Sequence, residues 1–201
     1  ELIDAILVQL PLPEHLDTGR IIAAIDPGKD ADRFHPDNIK ALLAGNTTIK
    51  PPLFAVVEAI IQEVKFDPAG QKAVVVSKSD IFGHNLAEFL SQQGAEAAKV
   101  DPGDPRLAPV CRTADLLVTI VGQPGLITPD MVKPEAVVID VGIAREQEKT
   151  RGDVDPQAAA DNAGFLTPVP GGVGPITVAM LFRNTLELHK QHRQAGGGGN
   201  P

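Results

Sequence analysis

The sequence of 201 residues contains no tyrosine, one cysteine and two methionines, and its only aromatic residues are seven phenylalanines. Without tyrosine, no motif built on one can be present. The lone Cys111 excludes an intramolecular disulfide and a cysteine-cluster zinc site, and it fits a reducing compartment. No apolar run approaches the roughly 20 residues that span a bilayer, and no basic region leads into an apolar one at the start. Neither membrane insertion nor secretion is therefore expected, and the expected compartment is the cytoplasm. A basic footprint is missing too. A net charge of -8 and a pI near 5.0 speak against nucleic acid or an anionic membrane as partner, so a small anionic ligand would need a local positive site.

What is present is an ordinary globular composition, with 43% apolar and 22% charged residues in a chain long enough for one or two domains. Short runs rich in Val and Ile recur at Ile6–Val8, Ala73–Val76, Leu116–Val121 and Ala136–Val141 and read as buried strands, with a further strand expected over Glu96–Val100. Helical spacing lies between them at Phe54–Val64, Asn85–Gln93, Leu107–Ala114 and Pro175–His189. The last has Val178, Leu181, Phe182, Thr185 and Leu188 on one face. This alternation predicts an α/β fold with a Rossmann-like parallel sheet. A domain boundary is expected at the turn Asp67-Pro68-Ala69-Gly70. The abrupt entry from Glu1 into Ala5–Val8 reads as the inside of a longer chain, and residues 191–201 read as a flexible tail.

Three strings are more specific: VQLPLP at Val8–Pro13, PGKDADRFHP at Pro27–Pro36 and TPVPGGVGPITVAML at Thr167–Leu181. With ADLLVTIVGQPG, VKPEAVVIDVGI and GDVD in the same order, they resemble the methylenetetrahydrofolate dehydrogenase/methenyltetrahydrofolate cyclohydrolase family from Ala5 to His189. The resemblance implies part of an N-terminal α/β catalytic and folate domain over residues 1–68 and an NAD(P)-binding Rossmann-like domain over 69–170. A C-terminal helix over 171–190 is implied to pack back on the N-terminal part. The implied activity is oxidation of 5,10-methylenetetrahydrofolate to 5,10-methenyltetrahydrofolate and hydrolysis of that product to 10-formyltetrahydrofolate. NADP is the implied cofactor, with NAD as the alternative. The implied partners are tetrahydrofolate derivatives and a second copy of the chain, with no nucleic acid and no membrane.

In the third string, Gly171, Gly172 and Gly174 read as positions of positive φ or close backbone approach, and Pro175 as a first-turn helix residue. The plainer reading is a tight connection without a ligand. By resemblance the loop borders nicotinamide and folate, with substrate contacts at Pro170, Gly171 and Gly172 and cofactor contacts at Thr167 and Gly172. Gln9, at a strand end, reads alone as a backbone-bonding residue. The resemblance makes it the glutamine that hydrogen-bonds the catalytic lysine and the reacting folate. Asp30 and Asp32 alternate along an expected extended stretch and read alone as solvated carboxylates. The resemblance makes Asp32 the catalytic aspartate that accepts paired N–H donors of the pterin, and Asp30 a substrate contact.

The dinucleotide loop runs Ser77-Lys78-Ser79-Asp80-Ile81-Phe82-Gly83 where the family has Gly-Arg-Ser-x-Ile-Val-Gly. Lys78 and Ser79, with the N–H groups of the following helix, remain candidates for phosphate. Ser77, Gly83, Gly122 and Ile143 complete the implied cofactor set. Other departures are Ile49-Lys50-Pro51-Pro52 for the family's Pro-Cys-Thr-Pro, and Arg33 at the glycine of its Asp-Val-Asp-Gly string. Arg33 is expected either to pair with the glutamate tail of the substrate or to lie at the surface. The family's Tyr-x-x-x-Lys motif is absent, and no lysine here takes its role.

Two readings follow: a partial sequence of a working bifunctional enzyme, or a catalytically inactive dinucleotide-binding relative serving as a binding or assembly module. The ordered strings disfavour an unrelated Rossmann dehydrogenase. Asp101 and Pro102 stand where the family has His and Ser, and Asp101 reads either as a turn cap or as a ribose ligand that shifts preference toward NAD, with Lys78 pulling the other way. Parallel titrations separate these: a ribose ligand makes NAD the tighter binder, whereas equal or tighter NADP binding leaves Asp101 a turn cap.

Overall fold

The computed structural model describes residues 3–146, 148–158 and 162–196. Among the described residues, helices α1 (Thr18–Ala23), α2 (Pro36–Leu43), α3 (Pro52–Glu63), α4 (Asp80–Gln92), α5 (Leu107–Cys111) and α6 (Val173–Gly196) accompany seven strands. These are β1 (Lys72–Ser77), β2 (Glu96–Val100), β3 (Leu116–Ile120), β4 (Val137–Asp140), β5 (Ala144–Glu146), β6 (Lys149–Arg151) and β7 (Phe165–Leu166). The chain divides into two compact units, Val57–Ile176 and the remainder on either side of it. The divisions fall inside α3 and α6, whereas the turn expected to be a boundary lies within Val57–Ile176, tied down by Gly70 N–H donating to Gly94 O at 2.8 Å. Among the described residues no helix is long and apolar enough to cross a membrane.

The unit Val57–Ile176 is a parallel sheet in the order β2-β1-β3-β4-β7. The central strands β1, β3 and β4 are continuous apolar runs because both faces are covered, whereas the edge strand β2 alternates in burial. Val76 pairs with Val100 on one side and with Thr119 on the other, and Thr119 pairs in turn with Asp140. One face packs Val74, Val76, Val100, Leu117 and Val138 against Leu107 and Cys111. Burial there pushes the Cys111 thiol up to about 11. The β5–β6 hairpin forms a separate antiparallel pair. Helix α4 begins five residues earlier than its apolar spacing predicts, because Ser79 caps it, accepting from Phe82 N–H at 3.4 Å.

Two buried carboxylates hold the loops at the carboxyl ends of the strands. Asp140 Oδ1 accepts from Gly142 N (3.0 Å), Asp153 N (3.1 Å) and the Thr119 hydroxyl (3.1 Å), and its Oδ2 accepts from Val154 N (2.9 Å). Asp153 accepts from Val121 N at 2.8 Å and Gln123 N at 2.7 Å. The approach is too close for a side chain: a Cβ on Gly142 would lie 2.0 Å from Asp153 Cγ, and one on Gly152 would lie 2.0 Å from Asp140 Oδ2.

The other unit has a small core of Ala31, Ile49 and Leu188, with Ala5 and Leu181 against it. Asn184 of α6 donates to Ala31 O (3.1 Å) and Lys50 O (2.9 Å), so the helix is joined to both segments by one side chain. Several expectations fail here. Ile6–Val8 is not a buried strand. Ile6 makes an isolated bridge to Asp30, and Leu7 is 47% exposed. Val178 and Phe182 do not share the core face with Leu188, being 53% and 71% exposed, because Leu181, Asn184 and Leu188 take that face. Residues 191–196 continue α6 rather than beginning a tail, and the rest of the expected tail lies outside the described residues.

Replacing Asn184 by Ala should lower unfolding stability by about 2 kcal/mol, since the buried Ala31 carbonyl and the part-buried Lys50 carbonyl each lose a hydrogen bond. Gly152→Ala should cost about as much or more, because backbone must move away from Asp140. Urea titration of each variant against the parent checks both.

Candidate functional site

In the sheet, strand order reverses between β1 and β3, so the crevice at their carboxyl ends is the place where a doubly wound fold binds a ligand. The β1–α4 turn supplies Ser77, Lys78 and Ser79. Ser77 is buried, and its hydroxyl accepts from Ser79 N at 3.1 Å and donates to Ser79 O at 3.2 Å. That hydroxyl closes the turn internally and takes up one N–H that would otherwise face a phosphate. Lys78 is exposed. Gly83 brings α4 directly over the end of β1, for a Cβ there would stand 2.6 Å from Ser77 Cβ.

After β3, Gly122 adopts φ 76 between the two amides that Asp153 holds. The structure brings Ile143 to the same place: its carbonyl lies 3.5 Å from a Cβ built on Gly122, and its Cδ1 lies 3.9 Å from one built on Gly174. Gly122, Ile143 and the start of α6 thus converge. Thr167 lies apart in role. Its buried hydroxyl accepts from Asp140 N at 2.8 Å and donates to Asp140 O at 3.4 Å, which ties β7 to β4.

The Pro168–Gly174 turn contains a cis Val169–Pro170 peptide, and Gly172 N–H donates to Pro168 O at 2.9 Å. Of its three glycines, only Gly171 has positive φ, at 100. Gly172 is required by close approach, since a Cβ would lie 2.4 Å from Pro168 O, whereas Gly174 has room for one. Pro175 falls in the first turn of α6, as expected. Pro168 and Val169 also line a cavity of about 730 Å³ with Pro124, Gly125, Lys149 and Arg151. Its size lies within the range of small-molecule sites, about 300–1,000 Å³. Arg151 Nε is paired with Glu146 across the hairpin at 2.9 Å.

In the other unit, Gln9 is exposed and its Nε2 donates to Leu10 O at 2.8 Å, the backbone bond its own context suggested. Asp30 and Asp32 do not lie on an extended stretch, because Ala31 and Asp32 form a bend. Asp30 is buried and accepts from His35 N at 2.7 Å and Asn38 Nδ2 at 3.2 Å, so it is not the solvated carboxylate of the plainer reading. Burial, with the charge of Asp30 nearby, lifts the carboxyl of Asp32 from 3.8 to about 6. Arg33 does not lie at the surface. It is 8% exposed, adopts φ 61, and donates from Nη1 to Pro27 O at 2.9 Å, while its buried Nε has no partner among the described residues. The left-handed backbone explains why a glycine suits this position.

Asp140 and Asp153 escaped the sequence reading. The signal was present: an acid closing an apolar strand, Val137-Val138-Ile139-Asp140, and a second acid after a glycine, Gly152-Asp153, each inside a quoted string. Asp101 Oδ1 accepts from Gly103 N at 2.8 Å, which makes it a turn cap.

Residues 52–193 match the family model for the tetrahydrofolate dehydrogenase/cyclohydrolase NAD(P)-binding domain. The chain is 45% identical over 189 residues to the bifunctional protein FolD of Acetivibrio thermocellus, covering 94% of this chain and 66% of that protein. It is 47% identical over 190 residues to that of Moorella thermoacetica, covering 94% and 68%. Among solved structures, the bifunctional dehydrogenase/cyclohydrolase of Campylobacter jejuni superposes with a TM-score of 0.85 at 37% identity, covering 94% of this chain and 68% of that one. The Trypanosoma brucei enzyme, solved with NADP and an inhibitor, gives 0.85 at 35% identity, covering 94% and 67%. The chain thus spans about two thirds of the length of these relatives. On the family model, the identities and the superpositions together, the chain belongs to the tetrahydrofolate dehydrogenase/cyclohydrolase family, with its NAD(P)-binding domain in residues 52–193.

Proposed function

We propose that this chain binds NADP and a reduced folate and serves the oxidation of 5,10-methylenetetrahydrofolate to 5,10-methenyltetrahydrofolate. The observation that carries the reading is the convergence of Gly122, Ile143 and the start of α6 beyond the carboxyl ends of β3, β4 and β7, in a sheet that matches the NAD(P)-binding domain. The dinucleotide fits what is there: an exposed Lys78 leading into the first turn of α4, and a Gly122 with φ 76. Bound NADP would supply the hydride acceptor.

The chain's own residues do the positioning. Lys78 and the first turn of α4 face the phosphates, Gly122 and Ile143 border the nicotinamide, and the Pro170-Gly171-Gly172 turn approaches the reacting rings. Such chemistry depends chiefly on alignment. Asp32 is the group that accepts the pterin N–H donors, and Asp30, held by His35 and Asn38, sets the local negative charge. Gln9 contacts the folate from the irregular segment that follows the Ile6–Asp30 bridge. We further propose a homodimer formed through the nucleotide units and a cytoplasmic setting.

The second activity, hydrolysis of the methenyl product, requires proton transfer by a group tuned near neutrality. No Tyr-x-x-x-Lys motif supplies one here. The second reading, a catalytically inactive relative, draws on the Ser77 hydroxyl occupying Ser79 N, which takes one donor away from the nucleotide turn.

The purified chain, given methylenetetrahydrofolate with NADP or NAD, is expected to form methenyltetrahydrofolate slowly and in a dinucleotide-dependent manner. Hydrolysis of added methenyltetrahydrofolate should lack the roughly 10²–10⁴-fold acceleration that a positioned acid–base group provides. No turnover with retained NADP binding would favour the binding-module reading, and no binding at all would sink both.

Asp32 gives a second check. A carboxyl raised in the folded state binds more protons folded than unfolded between pH 3.8 and about 6, so it costs stability as pH rises through that window. Asp32→Asn should therefore melt at a higher temperature than the parent at pH 7.5 and together with it at pH 3.5 or below, while losing folate affinity. Melting scans across pH beside folate titrations read both effects.

A further inference from the structure

Arg33 stands where the local structure asks for a different residue. Its backbone is left-handed, at φ 61, a region that glycine enters freely and a residue with a Cβ enters under strain. It is 8% exposed, so a permanently charged side chain is folded inward. Its Nη1 donates to Pro27 O at 2.9 Å, an oxygen that Asn38 Nδ2 also reaches at 3.0 Å, and its Nε is buried with no partner among the described residues. One shared carbonyl does not explain the burial of a guanidinium. A docking point for a mobile carboxylate tail would have to face solvent, and this group does not.

The buried acid beside it does explain it. Asn38 Nδ2 also lies 3.2 Å from Asp30 Oδ2, so Pro27 O and Asn38 form a short chain of contacts from the guanidinium to a buried carboxylate. Burial works against the charge of Arg33, and the charge of Asp30 supports it. The hydrogen bonds to Asp30 come from His35 N and Asn38 Nδ2, which carry no charge, so Arg33 supplies the positive charge that they do not. Asp32 feels this balance. The charged and titratable groups around it are Lys29 and Asp30 before it, Arg33, His35 and Asp37 after it, and Lys50, whose carbonyl shares Asn184 with that of Ala31. His35 Nδ1 is taken up by Asp37 N at 3.1 Å. Beyond desolvation, the charge that acts on the Asp32 carboxyl is that of Asp30, which opposes ionisation. A group that balances Asp30 therefore keeps Asp32 able to accept N–H donors.

We propose that Arg33 is a positioning residue of the folate site, its inward guanidinium serving as the counter-charge that balances Asp30 and so leaves Asp32 a carboxylate when the pterin arrives. The inference rests on the reading of Asp32 as the acceptor of the pterin N–H donors.

The test is calorimetric titration of the whole chain with tetrahydrofolate across a range of pH, the ligand's own ionisation being common to every variant. Parent affinity should fall as pH drops through about 6, where Asp32 takes up its proton. Arg33→Met and Arg33→Gly, the second of which the left-handed backbone accepts without strain, should move that midpoint upward by about one pH unit. Both should then bind about fivefold more weakly than the parent at pH 6 and match it above about pH 8. Arg33→Lys, which keeps the charge, should stay near the parent midpoint. An unmoved midpoint in Arg33→Met and Arg33→Gly, a loss of affinity equal at every pH, or an Arg33→Lys midpoint displaced as far as that of Arg33→Met each overturn the inference. Asp32→Asn separates it from the reading beneath it. That variant should bind weakly and without an acid limb, and if it instead keeps the parent curve, the role of Asp32 falls and that of Arg33 with it.

Discussion

The ligand edge of the nucleotide unit depends on two buried carboxylates that hold each other's surroundings. Asp140 gathers the amides of Gly142, Asp153 and Val154, and Asp153 gathers those of Val121 and Gln123. The loops after β3 and β4 and the segment leading to β7 therefore share one set of hydrogen bonds, and none can move without exposing a carboxylate. Burial pushes the Asp140 carboxyl above the ordinary range in spite of these bonds. Desolvation thus outweighs part of what the bonds contribute, and the arrangement yields shape more than net stability. The missing side chains of Gly142 and Gly152 are what let the carboxylates in.

The smaller unit holds a different kind of constraint. Arg33 sits in left-handed backbone between Asp32 and His35, at an energy of about 1–3 kcal/mol for a residue with a Cβ. Its guanidinium is turned inward to Pro27 and not toward solvent. Strain, an unpartnered buried Nε and a carboxylate lifted to about 6 all fall within two consecutive residues, which marks the segment as one shaped by something other than folding.

Much of the sheet was legible because strands buried on both faces must be continuous apolar runs, as β1, β3 and β4 are. The same rule misled at Ile6–Val8, where an equally apolar run makes one bridge and stays half exposed. Helices α1 and α2 were missed because short helices rest on caps, here the side chains of Asp17 and His35, and not on periodicity. The hairpin strands are three residues each and mostly polar, with no pattern to read. On α6, apolar residues occupy more than one stripe, and the stripe that packs is the one containing Asn184, a residue that pattern reading assigns to solvent. For the site, motif residues were legible one at a time. The pairing of Asp140 with Asp153 was not, since thirteen positions separate them and each alone reads as a turn acid.

Cys111 acquires a practical meaning from its position. It is the chain's one thiol, fully buried against the face that carries Val76 and Val138, and its ionisation is suppressed by that burial. Alkylating reagents attack the thiolate of an accessible sulfur, so they should modify this chain only through openings of the nucleotide unit. The rate of labelling becomes a clock for those openings, and any molecule that seats at the switch point and braces the sheet should slow it, whether or not turnover occurs.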